Sequence, residues 1–405
     1  MTNAWKTTTL ADEIELAYGK SLPGHLRCPG SAQVFGSNGI VGTHTSGCVE
    51  GPGIIIGRKG SVGEVAFSKE DFWPIDTTYF VKNTGQHNWR YLFHLLSSLE
   101  LTGLNSHSAV PGLNRDDVYS IRVRIPEATV QKDIATVLDF VATKVESEQK
   151  AIIMCSSAKM ATMRKLFAKG LRGETQKETE IGLVPASWDV RRFESVREWL
   201  QYGTSVQCDS KRSTYPVLRI PNVEAAFVNV KDLKYCDLPP EVAERYQLVN
   251  GDLLFIRTNG VRERLGKCAV YAGDPKGALF ASYLIRARIL LEELVPRYAA
   301  YFFSSELGTE LVAGGATPAA DGKFNLNTGA INSILLPVPP SLDEQEDIVE
   351  ILEAIDRKIA LHRSKMTILE GIFQTLLHKL ITGELHVSEL DLSALETAHA
   401  VEVTV

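Results

Sequence analysis

The stretch LNRDDVYSIRVRIP, which spans Leu113–Pro126, returns as LNTGAINSILLPVP at Leu326–Pro339. Leucine, asparagine, serine, isoleucine and proline recur at the same spacing in both stretches, and apolar residues are kept between them. The interval of about 200 residues is the size of a domain, whereas solenoid and propeller repeats have periods of roughly 20–50 residues. The sequence therefore predicts one structural unit that is used twice.

Shorter echoes extend the repeat over most of the chain. Most of the matched residues are glycines or apolar residues of the kind found in cores, so the two copies are expected to share a backbone and to differ in surface. The matched segments are Tyr18-Gly19-Lys20 with Tyr202-Gly203-Thr204, 54–67 with 253–270, Gln131–Ile134 with Gln345–Ile348, and 169–174 with 379–384.

The composition is that of an ordinary soluble protein, with 44% hydrophobic and 23% charged residues among 405. A chain of this length is expected to form about two or three domains, each with its own core. No apolar stretch approaches the roughly 20 residues of a membrane span, and no signal peptide is evident, so a cytoplasmic location without membrane contact is expected. The six cysteines form no C-x-x-C pair, which favours reduced thiols over disulfides or a zinc site.

The net charge of −6 is unevenly distributed along the chain. Lys/Arg and Asp/Glu number 11 and 11 in residues 1–126 and 18 and 17 in 187–339, but 5 and 9 in 340–384 and 0 and 4 in 385–405. The two globular segments are therefore nearly neutral. A local basic surface on either of them is compatible with the acidic total, because charges are screened beyond roughly 8–10 Å.

Two segments have the periodicity of long amphipathic helices. Each begins after a proline, Pro126 or Pro339, keeps apolar residues three or four positions apart, and stops at Gly-Glu. A helix of about 40 residues is roughly 60 Å long, so the two are expected to pair as an antiparallel coiled coil, although a plain structural spacer is the alternative. The predicted helix-pairing residues are Ile134, Leu138, Val141, Val145, Ile152, Ile348, Leu352, Ile355, Ile359 and Met366.

Polar tips with glycines interrupt the short predicted strands. In the first copy, Gly57-Arg58-Lys59-Gly60-Ser61 lies between two apolar runs, and in the second copy 257–264 occupies the matching place. Cationic and hydroxyl side chains beside exposed amides suit phosphate oxygens. A hairpin tip is also polar simply because water surrounds it, and these residues alone leave both interpretations open.

No catalytic motif is complete in this sequence. The segment 260–268 resembles a P-loop, but it has one residue too many and a cysteine in place of the Mg²⁺-binding Ser/Thr. Gly51-Pro52-Gly53 begins like a dinucleotide-binding loop, but Ile56 occupies the third glycine position. The chain is therefore predicted to be a binding protein and not an enzyme.

Two variable globular units, each followed by a long helix that begins after a proline and ends at Gly-Glu, resemble the specificity (S) subunit of type I restriction–modification systems. The resemblance covers residues of about 10–384. The stretches similar to that family's target recognition domains are VFGSNGIVG at 34–42, GRKGSVG at 57–63, WPIDTTYFV at 73–81 and RTNG at 257–260.

The resemblance implies a non-catalytic subunit that reads a bipartite, asymmetric site in double-stranded DNA, with one half for each recognition domain. Two modification (methyltransferase) subunits that bind S-adenosylmethionine would methylate adenine, and restriction subunits would translocate and cleave DNA with ATP and Mg²⁺. No cofactor is implied in this chain itself. By match to the family's motifs, the candidate DNA-binding residues are Ser37, Asn38, Arg58, Lys59, Ser61, Thr77, Thr78, Tyr79, Arg257, Thr258, Asn259, Arg262 and Arg264.

The predicted fold class is α+β, with two mixed α/β recognition domains, each followed by a long helix, and with the two helices paired as an antiparallel coiled coil. Two other classes of function stay open, a stand-alone enzyme and a coiled-coil protein scaffold without DNA recognition. The predicted boundaries are 1–126 for recognition domain 1, 127–174 for helical spacer 1, 175–186 for a linker, 187–339 for recognition domain 2, 340–384 for helical spacer 2 and 385–405 for an acidic tail.

Overall fold

A computed structural model describes residues 5–104, 112–262, 265–319 and 322–391. The chain divides into two compact units. Unit 1 comprises Met1–Lys150 and Arg363–Val405, and unit 2 comprises Ala151–His362. Among the described residues, none of the helices combines the length and the apolar character needed to cross a bilayer.

Both units are built from short strands, short helices and parts of two long helices. The strands of unit 1 are β1 Lys6–Thr9, β2 Glu15–Tyr18, β3 Ala32–Gly36, β4 Gly39–His44, β5 Gly53–Gly57, β6 Val65–Ser68, β7 Phe72–Pro74, β8 Thr78–Lys82 and β9 Arg122–Ile125. The strands of unit 2 are β10 Gln176–Thr179, β11 Gly182–Pro185, β12 Asp189–Arg192, β13 Arg197–Tyr202, β14 Tyr215–Leu218, β15 Ala226–Phe227, β16 Lys234–Cys236, β17 Leu253–Ile256, β18 Thr258–Asn259, β19 Cys268–Val270, β20 Leu279–Phe280, β21 Leu284–Ile289, β22 Thr317–Pro318, β23 Phe324–Asn325 and β24 Leu335–Val338. The α-helices are α1 Leu10–Glu13, α2 Trp89–Ser98, α3 Arg115–Tyr119, α4 Ala128–Lys169, α5 Pro240–Ala243, α6 Pro296–Phe303, α7 Glu306–Gly314, α8 Thr328–Asn332 and α9 Leu342–Thr382.

The central sheet of unit 1 has the strand order β2-β8-β5-β6, with antiparallel neighbours. Strand β5 lies inside the sheet because its sequence GIIIG is apolar throughout, and all of its residues are buried. Helix α2 packs on one face through Tyr91 and Leu92. A second sheet, β4-β3-β7, covers the other face, where Phe35, Ile55 and Phe72 form a separate small cluster.

The central sheet of unit 2 has the order β13-β21-β17-β19-β15. Its first four strands are antiparallel neighbours in the same arrangement as β2, β8, β5 and β6, and β15 adds a parallel edge. Helix α6 packs on this sheet as α2 does in unit 1, with Tyr298, Phe302 and Phe303 buried. The two units therefore share a scaffold, as the repeated sequence predicts.

The long helices pack against each other with opposite chain directions. In unit 1, Ile134 and Leu138 near the start of α4 belong to the same hydrophobic cluster as Leu377 and Leu380 near the end of α9. The structure confirms the predicted antiparallel pair, and the helix lengths of 42 and 41 residues agree with the predicted length.

Unit 2 contains the opposite ends of the same two helices. Leu166 near the end of α4 lies in one cluster with Ile348 and Leu352 near the start of α9. A salt bridge of 2.7 Å between Lys159 Nζ and Asp356 Oδ1 joins the helices beside this cluster. Of the predicted pairing residues, the structure buries Ile134, Leu138, Val141, Ile152, Ile348, Leu352 and Ile359 and leaves Val145, Ile355 and Met366 half-buried.

Glycines in the left-handed region end both long helices. Helix α9 ends at Thr382, just before Gly383 at φ +75°, which is the predicted Gly-Glu position. Helix α4 ends at Lys169, before Gly170 at φ +59°, a few residues earlier than the predicted stop at Gly173. A left-handed residue interrupts the helical hydrogen bonds, and glycine adopts it without steric cost.

A buried glutamine fixes each long helix to its own unit. Gln131 Oε1 accepts a hydrogen bond from Asn88 N at 2.9 Å, just before α2. Gln345 Oε1 accepts one from Val295 N at 2.7 Å, just before α6. The repeated Gln-x-Asp-Ile motif is therefore a structural anchor, because both side chains also donate to main-chain carbonyl oxygens and are almost fully buried.

An arginine–carboxylate pair lies about two turns further along each helix. Arg90 Nε donates to both carboxylate oxygens of Asp139, at 3.0 and 2.9 Å. In unit 2, Arg297 pairs with Glu353. Burial would raise the pKa of Asp139, but hydrogen bonds from His94 and Arg90 outweigh burial and lower that pKa to about 2.

Two segments at the predicted boundaries are more ordered than their predicted roles suggest. Residues 175–186, predicted as a linker, form the β10–β11 hairpin, and Ile181 and Val184 are buried in it. Leu385 and Val387, at the start of the predicted tail, pack against the core of unit 1. Residues 392–405 of that tail lie outside the described residues.

Candidate nucleic-acid interface

Three loops of unit 1 meet at one end of its central sheet. They are the two-residue turn 37–38 between β3 and β4, the loop 58–61 after β5, and the turn 75–77 before β8. The second and third loops are joined by hydrogen bonds to Thr77 O from the main-chain nitrogens of Arg58 and Lys59, at 2.9 and 3.1 Å. The structure thus brings together the candidates Ser37, Asn38, Arg58, Lys59, Ser61 and Thr77.

The turn 37–38 lies directly beside the loop 58–61. A Cβ atom added to Gly60 would lie 3.2 Å from Ser37 Oγ, and one added to Gly57 would lie 2.7 Å from Ser37 O. Asn38, Lys59 and Ser61 are exposed, whereas Ser37 and Thr77 are half-buried. Donor side chains and main-chain amides therefore share one surface in unit 1.

Arg58 is held in a fixed position within this surface. Its Nη2 donates to Asp76 O at 2.6 Å, and its guanidinium carbon lies 5.2 Å from the centroid of the Tyr18 ring. The centroid of the Tyr79 ring lies 5.9 Å from the same carbon. Within the described part of the chain, Arg58 Nε is buried without a hydrogen-bond partner. Stacking and one carbonyl oxygen therefore fix the plane of the guanidinium group.

Thr78 and Tyr79 lie inside unit 1 and not on its surface. Thr78 is 0% exposed and donates to Ile75 O at 2.8 Å. Tyr79 is 3% exposed and donates to Leu113 O at 3.2 Å. Burial and the neighbouring Tyr18 raise the pKa of the Tyr79 hydroxyl, which keeps it a donor. Both side chains are buried and donate hydrogen bonds to main-chain carbonyl oxygens of unit 1, so these two residues have a structural role beside the loops.

Sequence reasoning missed two residues of this surface, Tyr18 and Arg115. Tyr18 ends β2 and is 53% exposed, and the Arg115 guanidinium carbon lies 4.7 Å from its ring centroid. Tyr18 therefore packs against two arginines, Arg58 and Arg115. The signal in the sequence is the Tyr-Gly pair that recurs in both copies, at Tyr18-Gly19 and Tyr202-Gly203.

Arg257 occupies the same place in unit 2. It follows β17 as Arg58 follows β5, and its main-chain nitrogen donates to Tyr283 O at 3.0 Å. Its Nη1 donates to Ser282 O at 3.2 Å, and its guanidinium carbon lies 4.5 Å from the ring centroid of Tyr202. Arg257 Nε, like Arg58 Nε, is buried without a partner among the described residues. The stacked arginine is therefore common to both units.

Two glycines place the tyrosines beside these arginines. A Cβ atom added to Gly19 would lie 2.1 Å from Ile75 O, and one added to Gly203 would lie 2.2 Å from Ala281 O. No side chain fits at either position. The strand that carries Tyr18 or Tyr202 thus passes directly against the turn whose carbonyl holds the arginine.

Thr258 and Asn259 lie on the surface that extends from Arg257. They form β18, which pairs with β23, and both are half-buried. With Ile220 and Tyr283 they line an open cleft of about 290 Å³. Tyr283 is 56% exposed and was also missed by sequence reasoning.

Arg262 contacts a different part of unit 2. Its Nε and Nη2 donate to Ala313 O at 3.3 and 3.2 Å, at the end of α7, where the helix dipole favours a cation. Arg262 is thus engaged away from Arg257, and Arg264 lies outside the described residues. Over the part of the chain that the structure describes, no cluster of His, Cys, Asp or Glu could hold a metal ion.

The family model described as "Type I restriction modification DNA specificity domain" matches this chain twice, at residues 3–153 and 185–370. The putative type I restriction enzyme MjaX specificity subunit of Methanocaldococcus jannaschii is 28% identical over 210 residues, which is 52% of this chain and 49% of that protein. The type I restriction enzyme EcoKI specificity subunit of Escherichia coli is 26% identical over 301 residues, which is 71% of this chain and 64% of that protein. The match thus spans about half to two thirds of the length of these relatives.

Two solved structures have a similar fold. The S subunit of the type I restriction–modification system from M. genitalium has a TM-score of 0.62 at 15% identity, with 94% of this chain and 96% of that chain covered. A chain from a structure of the type I R-M system has a TM-score of 0.52 at 15% identity, with 95% and 99% covered. With two family-model matches that together cover most of its length, this chain belongs to the type I restriction modification DNA specificity family.

Proposed function

We propose that this chain is the DNA-reading subunit of a type I restriction–modification complex and that each unit reads one half of a bipartite, asymmetric site in double-stranded DNA. The observation that carries the proposal is the arginine that both units present in the same way. Arg58 and Arg257 follow equivalent strands, stack on partly exposed tyrosines and are each held by one carbonyl oxygen. The guanidinium group of arginine is suited to guanine or to phosphate.

The surroundings of these two arginines support contact with DNA. In unit 1, Lys59 and Ser61 are exposed beside Arg58, and Arg115 adds a second stacked cation. In unit 2, exposed Tyr283 offers an apolar surface beside half-buried Asn259. Hydrogen-bond donors together with an apolar contact are the means by which proteins distinguish base edges.

Recognition domain 1 comprises residues 1–126 and recognition domain 2 comprises 187–339 in this proposal, and the helices that follow them are spacers. Methylation, translocation and cleavage belong to other subunits. Two modification subunits with S-adenosylmethionine methylate adenine, and restriction subunits use ATP and Mg²⁺ for translocation and cleavage. The chain itself is non-catalytic and acts in the cytoplasm, where these subunits and the DNA meet.

Single arginine substitutions test the proposal in a mobility-shift assay of the chain with its modification subunits. Arg58→Ala and Arg257→Ala are each expected to weaken DNA binding by about 1–3 kcal/mol if the side chain reads a base. If the side chain holds phosphate, affinity falls on all sequences and the salt slope decreases by about 1.

Exposed arginines outside the surface provide matched controls. Arg122 in β9 and Arg192 in β12 are exposed, and each carries the same single charge. Arg122→Ala and Arg192→Ala are expected to leave affinity and salt slope unchanged. If Arg58→Ala and Arg257→Ala behave like these controls, the two arginines do not contact DNA and the proposal fails.

A further inference from the structure

Two cysteines of unit 2 face each other across an antiparallel bridge. Asp209 and Tyr235 exchange both main-chain hydrogen bonds, at 3.1 and 2.9 Å. Cys208 and Cys236 are the next pair along the two segments and are of the non-hydrogen-bonded type. In such a pair the Cα atoms are about 4.5 Å apart and the side chains project from the same face.

The two thiols lie in the same part of unit 2, where Cys208 Sγ donates a hydrogen bond to Val206 O at 3.3 Å. Both cysteines belong to one hydrophobic cluster with Val217 and Leu279. Burial raises the pKa of Cys208, and a hydrogen bond with the Cys236 thiol opposes that effect. Burial and the neighbouring Cys208 raise the pKa of Cys236 to about 11. The spacing of a non-hydrogen-bonded pair falls within the Cα separation of about 4.4–6.8 Å that a disulfide needs.

We propose that Cys208 and Cys236 form an oxidation site that closes to an intramolecular disulfide when a small disulfide of the glutathione type is present. Cys208 is half-exposed and Cys236 is buried, so Cys208 reacts first. The Cys208 thiolate attacks one sulfur of the small disulfide, which gives a mixed disulfide and releases one small thiol. Cys236 then loses its proton to solvent and attacks Cys208 Sγ, which releases the second small thiol. Two protein thiols are oxidised and one small disulfide is reduced.

The disulfide would fasten the segment that follows Tyr202. Thr204 is already bridged to Ala281, so a bond at Cys208 fixes the other end of this short segment to the same part of unit 2. The cross-link also closes a loop in the unfolded chain. Oxidation is therefore expected to raise the unfolding midpoint of unit 2 by roughly 5 °C.

Peptide mapping of the folded, full-length chain tests this site. The chain is incubated with oxidised glutathione at about pH 8.5, where more of the thiol is ionised, then alkylated and digested with trypsin. Trypsin cleaves between the two cysteines, for example at Lys211 and Lys234, so the disulfide joins two separate peptides. The expected product is this linked pair, lighter by about 2 Da than the sum of the two reduced peptides.

Matched serine variants separate this site from general thiol oxidation. Cys155→Ser removes another half-exposed thiol of unit 2 and is expected to keep the cross-link, whereas Cys208→Ser is expected to lose it. The proposal is overturned if Cys208 and Cys236 are recovered only as alkylated thiols or as mixed disulfides with glutathione. It is equally overturned if Cys155→Ser loses the linked pair of peptides.

Discussion

Units 1 and 2 share a central sheet and a stacked arginine, but they fill the outer face of that sheet in different ways. In unit 1, Ile55 and Phe80 are paired on neighbouring strands and pack against the second sheet. In unit 2, the equivalent pair is Leu254 and Arg286. Arg286 is 3% exposed, and burial lowers its pKa to about 10, against the opposing effect of Asp252.

The shared and the divergent parts have different tasks. The shared residues position the long helix and the stacked arginine. Gln131 and Gln345, for example, fix the helix by accepting a hydrogen bond from one main-chain nitrogen and donating one to a main-chain carbonyl oxygen. The divergent residues form the outer layer and the loops beside the arginine. One scaffold can therefore keep the position of its helix while the surface beside the arginine changes, as the proposed reading of two different half-sites requires.

The largest expected effect is on the buried ion cluster that only unit 2 has at this position. Asp252 is 1% exposed and accepts two hydrogen bonds from Arg288, at 2.9 and 3.0 Å, beside Arg286. Asp252→Asn leaves Arg286 buried without its carboxylate and should destabilise unit 2 by about 3–5 kcal/mol. Hydrogen-exchange mass spectrometry should show faster exchange in β17 and β21.

The matched control is Asp232→Asn, because the Asp232 side chain is 79% exposed and pairs with Arg219 at the surface. It should change the stability of unit 2 by less than about 1 kcal/mol. Equal exchange rates in both variants would mean that the buried cluster contributes no more than a surface pair.

Removal of the anchoring glutamine should cost the two units a similar amount of stability. Gln131→Ala and Gln345→Ala each leave a partly buried main-chain amide without its acceptor, so each should destabilise its own unit by about 1–3 kcal/mol. Gln33→Ala, at an exposed position of β3, is the control. Urea denaturation measures the effect, and a loss in one unit without a comparable loss in the other would break the equivalence of the anchors.

The Asp139 carboxylate should make the free energy of unfolding of unit 1 depend on pH in the acid range. The pKa of Asp139 is about 2 in the folded chain and 3.8 in its ordinary state, so its ionised form stabilises unit 1 above pH 3.8. That stability is lost as the pH falls through about 2. Asp139→Asn should therefore cost about 1–2 kcal/mol at neutral pH, after allowance for solvent screening of this partly exposed group.

The control for this pH dependence is Asp133→Asn, which changes an exposed carboxylate of the same helix. Urea denaturation, followed by hydrogen-exchange mass spectrometry of peptides from unit 1, should show the difference in stability between wild type and Asp139→Asn shrinking below pH 3.8. A difference that is constant down to pH 2 would mean that the Asp139 side chain acts by packing and not by charge.

The sequence predicted the repeated scaffold and the helix pair because both depend on apolar spacing and glycines, which are local signals. It predicted Arg58 and Arg257 as surface candidates because each comes directly after one of two equivalent strands, β5 and β17. It did not predict Tyr18 or Tyr202 as part of the surface, since their stacking depends on a neighbouring strand far along the chain. Thr78 and Tyr79 match the family's motif, but both side chains are buried, because successive residues of β8 point to opposite faces of a sheet that is covered on both faces.

Sequencing of N6-methyladenine in DNA modified by the complex tests the central claim most directly, because it reports both half-sites at once. If each unit reads one half, Arg58→Ala should relax the specified bases in one half-site and leave the other unchanged, and Arg257→Ala should do the reverse. Arg122→Ala and Arg192→Ala should reproduce the wild-type motif. If either Arg58→Ala or Arg257→Ala relaxes both halves together, or if both variants relax the same half, the assignment of one half-site to each unit is wrong.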